Sequence, residues 1–145
     1  MRSERRKYMK KRVIITNDGS SALQKLVLDL EKSGFEVNLV ESDGEKLERV
    51  IEKSIPDILI ADAFMKNRDA LEVLSSLGGK LKKCGARIFI KTALKSKRYE
   101  KRLLAKGADA YLLKPVELDE VIGKREPATK KKSKFAFCFR QARKV

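Results

Sequence analysis

The most informative absence from this 145-residue chain is histidine, of which it has none. Without an imidazole, these residues offer no histidine-based acid–base catalysis, no histidine metal ligand and no phosphohistidine. Only two cysteines occur, Cys84 and Cys138, and they stand far apart in no metal-ligand spacing. The sequence therefore predicts neither a disulfide framework nor a zinc site.

Long apolar runs and nucleotide-binding glycine motifs are also missing. No run reaches the roughly 18 apolar residues of a membrane span, and no apolar stretch of the right kind follows the charged N-terminus as in a secretory signal. We therefore expect a cytoplasmic protein. Gly19 stands alone after the first apolar run, and no P-loop is present, which argues against a dinucleotide or P-loop enzyme.

What the chain does have in excess is positive charge, with a net value of +15. Residues 1–12 hold seven Lys or Arg against one Glu, and residues 125–145 hold eight against one. The stretch between them is nearly neutral, so we expect one domain at 12–124 between basic tails at 1–11 and 125–145. Such tails either bind the phosphates of nucleic acids or anionic membranes, or are simply solvated.

The C-terminal tail has a second unusual property, its aromatic content. Gly123 and Pro127 are expected to end the last helix early. Beyond them the segment Phe135–Phe139 alternates aromatic residues close to Arg140 and Arg143. This pattern is compatible with stacking on single-stranded nucleic acid, insertion at an anionic membrane, or packing against the preceding domain or an output domain.

Between the tails, short apolar runs alternate with segments of helical period. The runs are apolar throughout, which is typical of a parallel sheet covered by helices on both faces. With right-handed crossovers the prediction is an α/β fold with a doubly wound, five-stranded parallel sheet. The predicted strands are 13–16, 35–39, 58–61, 87–91 and 110–113, and the predicted helices are 20–33, 43–54, 70–77, 97–106 and one from about 117.

Polar residues follow these strands at the positions where each strand ends. In open parallel sheets, ligands bind beyond the carboxyl ends of the strands, so these residues are expected to share one edge. Taken singly, each of them is commonly a loop residue or a helix cap. Together they supply two carboxylates, a hydroxyl and an ammonium group: Asn17, Asp18, Asp62, Thr92, Ala93 and Lys114.

Over residues 12–124 the sequence resembles the receiver domain of response regulators in bacterial two-component systems. The resemblance rests on Asn17-Asp18, on the run from Pro56 to Asp62, on Thr92-Ala93, and on the run from Ala110 to Pro115. It implies the flavodoxin-like fold of chemotaxis regulators, with strand order 2-1-3-4-5. It also implies a signalling domain whose only chemistry is self-catalysed phosphotransfer and dephosphorylation.

The resemblance assigns the nucleophile and a metal site. Asp62 would be the carboxylate that accepts a phosphoryl group. Mg²⁺ would be held by Asp18, Asp62 and the backbone carbonyl of Phe64, with Asn17 in an outer shell.

The resemblance likewise assigns phosphate-binding and switching roles. Lys114 would neutralise one phosphoryl oxygen, while the Thr92 hydroxyl and the Ala93 amide would donate hydrogen bonds to others. Tyr111 stands where receivers carry an aromatic residue that changes rotamer as Thr92 moves. The switch would then reach the surface of the fourth helix, fifth strand and fifth helix.

The implied partners are a sensor histidine kinase or phosphotransfer protein, and an output domain or effector protein. A basic fourth helix and an acidic start to the fifth also suggest a homodimer through that surface. Three residues depart from the family pattern: Asn17 replaces an acid, Lys66 a proline, and Ala70 a glycine. They leave open a phosphorylation-deficient pseudo-receiver that acts as an interaction module, and nucleic-acid binding through the tails is a further alternative.

Overall fold

The computed structural model describes residues 10–123, in which five strands alternate with five helices. All neighbouring strands are parallel, in the order β2-β1-β3-β4-β5, which confirms the predicted fold and topology. The strands are β1 (Arg12–Asn17), β2 (Glu36–Glu41), β3 (Ile58–Asp62), β4 (Arg87–Thr92) and β5 (Ala110–Leu113). The helices are α1 (Ser21–Lys32), α2 (Gly44–Lys53), α3 (Ala70–Lys83), α4 (Lys97–Ala105) and α5 (Leu118–Ile122).

Apolar side chains cover both faces of the sheet because successive residues of each strand point to opposite sides. Helices α2, α3 and α4 pack on one face, and α1 and α5 pack on the other. The first core includes Ile14, Leu59, Ile88 and Ile90 with Leu47, Ile51, Leu74, Leu81 and Leu103. The second includes Val13, Ile15, Ile60, Phe89 and Leu112 with Leu23, Leu26, Leu30 and Val121.

The third helix is longer than its sequence predicts. Asp69 and Glu72 form a reciprocal capping box at its start, and the helix continues to Lys83 rather than ending at residue 77. The prediction of an end at 77 is wrong because the Gly78-Gly79 pair does not break the helix. Leu81, one turn further on, is fully buried and secures the added turn.

The edge strand β2 also differs from its prediction. The sequence alternation predicts a strand over 35–39 with Phe35, Val37 and Leu39 facing inward. In the structure the strand is Glu36–Glu41, Leu39 is 46% exposed, and Val40 is buried in the core on the other face of the sheet from Phe35 and Val37. An edge strand has one neighbour and partial helix cover, so its apolar positions are a weak guide to its inner face.

Two loops next to the sheet are joined by backbone hydrogen bonds. The Lys66 N–H donates to the Ser42 carbonyl at 3.1 Å, and the Gly44 N–H donates to the Lys66 carbonyl at 2.9 Å. Asn67, in the left-handed region at φ 68°, donates through its side chain to Asp43 at 2.8 Å. The loop after β3, where the sequence departs from the family pattern, is thus fixed to the loop after β2.

The predicted C-terminal tail, including Pro127 and the segment Phe135–Phe139, lies outside the described residues. Of the predicted N-terminal tail, only residues 10 and 11 are described. Within the described part, Gly123 adopts a left-handed conformation at φ 82° and ends α5 after five residues. Among residues 10–123, no helix has both the length and the apolar character that a membrane crossing requires.

Candidate functional site

Asp62 ends β3 at the carboxyl edge of the sheet and is almost completely buried. Its Oδ2 accepts hydrogen bonds from the Thr16 hydroxyl at 2.8 Å and the Ser42 hydroxyl at 2.9 Å. The Asp62 N–H in turn donates to Thr16 Oγ1 at 2.8 Å. These bonds fix the carboxylate on the side of β1 and β2, and they leave its second oxygen facing the other way.

That second oxygen, Oδ1, faces two ammonium groups. Lys114 Nζ lies 2.9 Å from it and Lys91 Nζ lies 3.2 Å from it. The same two ammonium groups contact Asp18 Oδ2, at 2.7 Å and 3.3 Å respectively. Asp18, Asp62, Lys91 and Lys114 therefore form a charged quartet with a formal net charge of zero.

The contacts of Oδ1 within the quartet are close but poorly directed. Within the described part of the chain, Asp62 Oδ1 receives no hydrogen bond of good geometry, although both ammonium groups lie within 3.2 Å. These contacts of Oδ1 are therefore ion pairs, held mainly by electrostatic attraction. A cleft lined by Asp18, Ser20, Leu23, Lys114, Pro115 and Val116 adjoins the quartet.

Lys91 is the member of the quartet that the sequence analysis missed. It is 2% exposed and lies in the interior strand β4, directly opposite Asp62 in the β3–β4 register. Its ammonium group also donates to the backbone carbonyl of Thr16 at 2.9 Å. A lysine two residues after the buried Phe89 was the available signal, because strand alternation places both on one face.

Thr16 and Ser42 were also missed as site residues. In the sequence, Thr16 is the last residue of a predicted apolar strand, and Ser42 is an ordinary loop residue. Their hydroxyls meet Asp62 only because β1 lies beside β3 and the loop after β2 reaches across to the same edge.

The quartet shifts the proton affinities of its outer members. Burial acts to raise the pKa of Asp18, but hydrogen bonds from Lys114 and Ser20, and the charge of Lys91, outweigh it and hold that pKa well below its usual range. Burial acts to lower the pKa of Lys114, but its contacts with Asp18 and Asp62 raise it above its usual value. Both groups are therefore charged at neutral pH.

Three other predicted site residues lie apart from the quartet contacts. The Asn17 side chain accepts a hydrogen bond from the Gly19 N–H at 2.8 Å, which closes the turn after β1. The Phe64 ring is 54% exposed and stacks on Tyr99 with a centroid separation of 5.0 Å. Ala93 is exposed in the loop after β4. Their assigned metal and phosphate roles stay predictions.

The predicted switch residues contact each other on the opposite face of β4. Thr92 is buried, and its hydroxyl accepts a hydrogen bond from the Leu94 N–H at 3.0 Å. The fully buried Tyr111 donates to the Leu94 carbonyl at 2.5 Å. Burial raises the pKa of Tyr111, and its hydrogen bond with Thr92 offsets part of that rise. The pair is thus placed to sense the loop after β4, and its switching role stays a prediction.

Residues 13–125 match the family model described as "Response regulator receiver domain". The chain is similar to the alkaline phosphatase synthesis transcriptional regulatory protein PhoP of Bacillus subtilis, 33% identical over 114 residues that cover 78% of this chain and 46% of PhoP. It is also similar to the transcriptional regulatory protein PdtaR of Mycobacterium tuberculosis, 30% identical over 112 residues that cover 77% of this chain and 53% of PdtaR.

Solved structures share the fold. A CheY-like response regulator receiver domain protein from Methanospirillum hungatei has a TM-score of 0.70 at 21% identity, covering 93% of this chain and 98% of that one. The chain spans about half the length of the curated relatives it matches.

Proposed function

The chain belongs to the response regulator receiver domain family of two-component systems, and from that membership we propose that Asp62 is the phosphoacceptor of a signalling switch. The observation that carries the proposal is the asymmetry of the Asp62 carboxylate. Two hydroxyls hold Oδ2, while Oδ1 faces Lys114 with no well-directed hydrogen bond from the described residues. The carboxylate is thereby oriented, and its second oxygen lies beside an ammonium group that can neutralise a phosphoryl oxygen.

The reaction needs no further group from the protein to balance. Asp62 Oδ1 attacks the phosphorus of a small donor such as acetyl phosphate. The bond between phosphorus and the acetyl oxygen breaks, and acetate leaves with the bonding electrons. Lys114, at 2.9 Å, is placed to neutralise a phosphoryl oxygen of the resulting aspartyl phosphate.

Receiver domains typically bind Mg²⁺, and the family resemblance implies a site at Asp18, Asp62 and the Phe64 carbonyl. The residues present do not fit a divalent ion between the two carboxylates. Both carboxylates are already paired with ammonium groups, so the quartet offers no excess negative charge.

Signal output would begin at the loop after β4. An aspartyl phosphate carries roughly −1.5 to −2 charges in place of the single carboxylate charge, so the sheet edge gains roughly one negative charge or less. That charge would draw the Thr92 hydroxyl away from the Leu94 N–H and loosen the loop that Tyr111 holds through the Leu94 carbonyl. Family members interact with histidine kinases and output domains; we propose that this chain's output partner reads the surface of α4, β5 and α5, where a homodimer is also proposed.

The direct test is incubation with acetyl phosphate, with and without Mg²⁺, followed by intact mass spectrometry. We expect the wild-type chain to gain the mass of one phosphoryl group, and Asp62→Asn to gain none. Asp119→Asn serves as the control, because it removes an exposed carboxylate near α5 while leaving the quartet intact. Wild-type protein that stays unmodified under both conditions would overturn the phosphoacceptor assignment.

A second function has one observation in its favour. The Asp62 side chain is only 5% exposed, and Lys91 and Lys114 both form ion pairs with its Oδ1. A closed, neutral pocket of this kind suits an interaction module that binds its partner without phosphorylation. The same mass measurement separates the two functions, because only the phosphoacceptor gains mass at Asp62.

A further inference from the structure

We propose that the Lys91 ammonium group occupies the place of a divalent cation between Asp18 and Asp62, so that this receiver organises its acidic pocket with an internal cation. The inference concerns the pocket itself. Only its extension to phosphotransfer rests on the function proposed above.

The coordination of Lys91 Nζ supports this assignment. An ammonium group has three N–H donors, and three oxygens from separate chain segments surround this one. They are the Thr16 carbonyl at 2.9 Å, Asp62 Oδ1 at 3.2 Å and Asp18 Oδ2 at 3.3 Å. Mg²⁺ holds its oxygens much closer, at about 2.0–2.1 Å, so the spacing suits an ammonium group.

The balance of carboxylates and ammonium groups in the quartet also supports an internal cation in place of a metal ion. A divalent ion binds where carboxylates outnumber nearby positive charges, whereas the quartet has two of each. Admitting Mg²⁺ beside Lys91 would place like charges within a few ångströms in a buried site, where screening by water is weak. The ion could bind only if Lys91 gave up its position.

Burial and strand pairing hold Lys91 in that position. The residue is 2% exposed, and its backbone is paired with Asp62 on one side and Leu112 on the other. Its carbonyl also accepts a hydrogen bond from the Ala63 N–H at 2.9 Å, immediately after the phosphoacceptor position. Turning the ammonium group away from the carboxylates would leave a charge buried without partners, which is strongly unfavourable.

Lys91 and Lys114 reach the two carboxylates from different directions and with different freedom. The Lys114 side chain is 31% exposed and lines the cleft, whereas the Lys91 side chain is 3% exposed. Lys114 can therefore follow an incoming phosphoryl group. Lys91 is the fixed positive charge, which is the electrostatic part a bound metal would otherwise supply.

The test is isothermal titration of Mg²⁺ into the full chain without any phosphodonor. We expect no saturable binding by the wild type. Lys91→Met keeps an unbranched apolar stem and removes the charge, and we expect it to bind Mg²⁺ at least about tenfold more tightly, equivalent to about 1.4 kcal/mol. Lys25→Met, on the exposed face of α1, makes the same change in net charge and should behave as the wild type.

Two results would overturn the proposal. One is saturable Mg²⁺ binding by the wild type that disappears in Asp18→Asn. The other is a folded Lys91→Met, verified by circular dichroism, that binds Mg²⁺ no better than the wild type. If Lys91→Met does not fold, the wild-type and Asp18→Asn titrations still decide.

A separate measurement tests whether Asp62 is phosphorylated without a metal ion. With acetyl phosphate in excess EDTA, the wild type should still gain mass at Asp62. A wild type that binds no Mg²⁺ and never gains mass would support the internal cation while refuting the phosphoacceptor assignment. A wild type that gains mass only with Mg²⁺ and also binds it would refute the internal cation alone.

Discussion

The two sides of Asp62 are held by different chemistry. On the side of β1 and β2, Thr16 and Ser42 supply neutral hydroxyls, and the loops around Ser42 and Lys66 are joined by backbone hydrogen bonds. On the side of β4 and β5, Lys91 and Lys114 supply charge. The neutral side fixes the direction of the carboxylate, while the charged side sets its electrostatic energy, so the two sides should respond differently to substitution and to pH.

The largest expected effect comes from removing the shared carboxylate. Asp62→Ala leaves two ammonium groups, one of them buried, with a single carboxylate between them, and should lower the free energy of unfolding by about 3–5 kcal/mol. Urea denaturation followed by circular dichroism measures it. Glu52→Ala, an exposed change on α2, should stay within about 0.5 kcal/mol.

The opposite sign is expected for Asp62→Ala if repulsion between the carboxylates dominates the pocket. A pocket of mutually repelling carboxylates is stabilised when one of them is removed. Unchanged or increased stability would therefore mean that the ammonium groups do not compensate the carboxylates as the quartet geometry indicates.

The next effect is a pH dependence confined to the charged side. The pKa of Asp18 is lowered on folding, so its stabilisation is complete above the ordinary value of 3.8 and is lost as pH falls below it. The pKa of Lys114 is raised, so its stabilisation is complete below 10.5 and is lost as pH rises above it.

Unfolding measurements across pH test both limits. We expect Asp18→Asn to flatten the acid limb and Lys114→Met to flatten the alkaline limb relative to the wild type. Variants with unaltered limbs would show that the charges of the quartet do not contribute differently to the folded and unfolded states.

A smaller effect tests the neutral side. A Cβ added at Gly44 would lie 2.1 Å from the Arg68 carbonyl oxygen, so Gly44→Ala should cost about 1–3 kcal/mol through displacement of the joined loops. At Gly79, in α3, an added Cβ meets no atom within 4 Å. Gly79→Ala should therefore stabilise by about 0.5–1 kcal/mol, and equal effects at the two glycines would contradict the close approach.

The smallest effect is expected for Ser42→Ala. It removes one hydrogen bond to a carboxylate oxygen that keeps its bond from Thr16, so the free energy of unfolding should fall by about 0.5–1.5 kcal/mol. This decrease should not depend on pH between roughly 5 and 9. Ser54→Ala, at an exposed position after α2, is the matched control. A pH-dependent loss would show that the hydroxyls and the charges are coupled.

Much of the fold could be predicted because the strands are locally distinctive. The buried runs around Ile14, Ile60 and Ile90 identify central strands, and capping residues such as Ser20 and Asp43 mark helix starts. Edge and end positions were less certain. Leu39 and the continuation of α3 to Lys83 depend on which neighbours cover them, and local periodicity does not contain that information.

The site was predictable where family-like residues follow strands, as for Asp18, Asp62 and Lys114. At Lys91 the sequence signal was weak, since a single lysine beside apolar strand residues is placed opposite Asp62 only by the β3–β4 register. Thr16 and Ser42 illustrate the same limit. Ordinary hydroxyl residues acquire a role only when the chain topology places them beside a buried carboxylate.

The zero net charge of the quartet has a consequence for encounter kinetics. A doubly anionic donor approaching a net negative pocket is repelled over distances comparable to the Debye length, about 10 Å at 0.1 M salt, and added salt accelerates its arrival. At Asp62 the four formal charges cancel, so they exert little long-range force on the donor. The quartet itself should consequently contribute little to the dependence of the modification rate on ionic strength, and any such dependence would come from the remaining charges of the chain, whose net charge is +15.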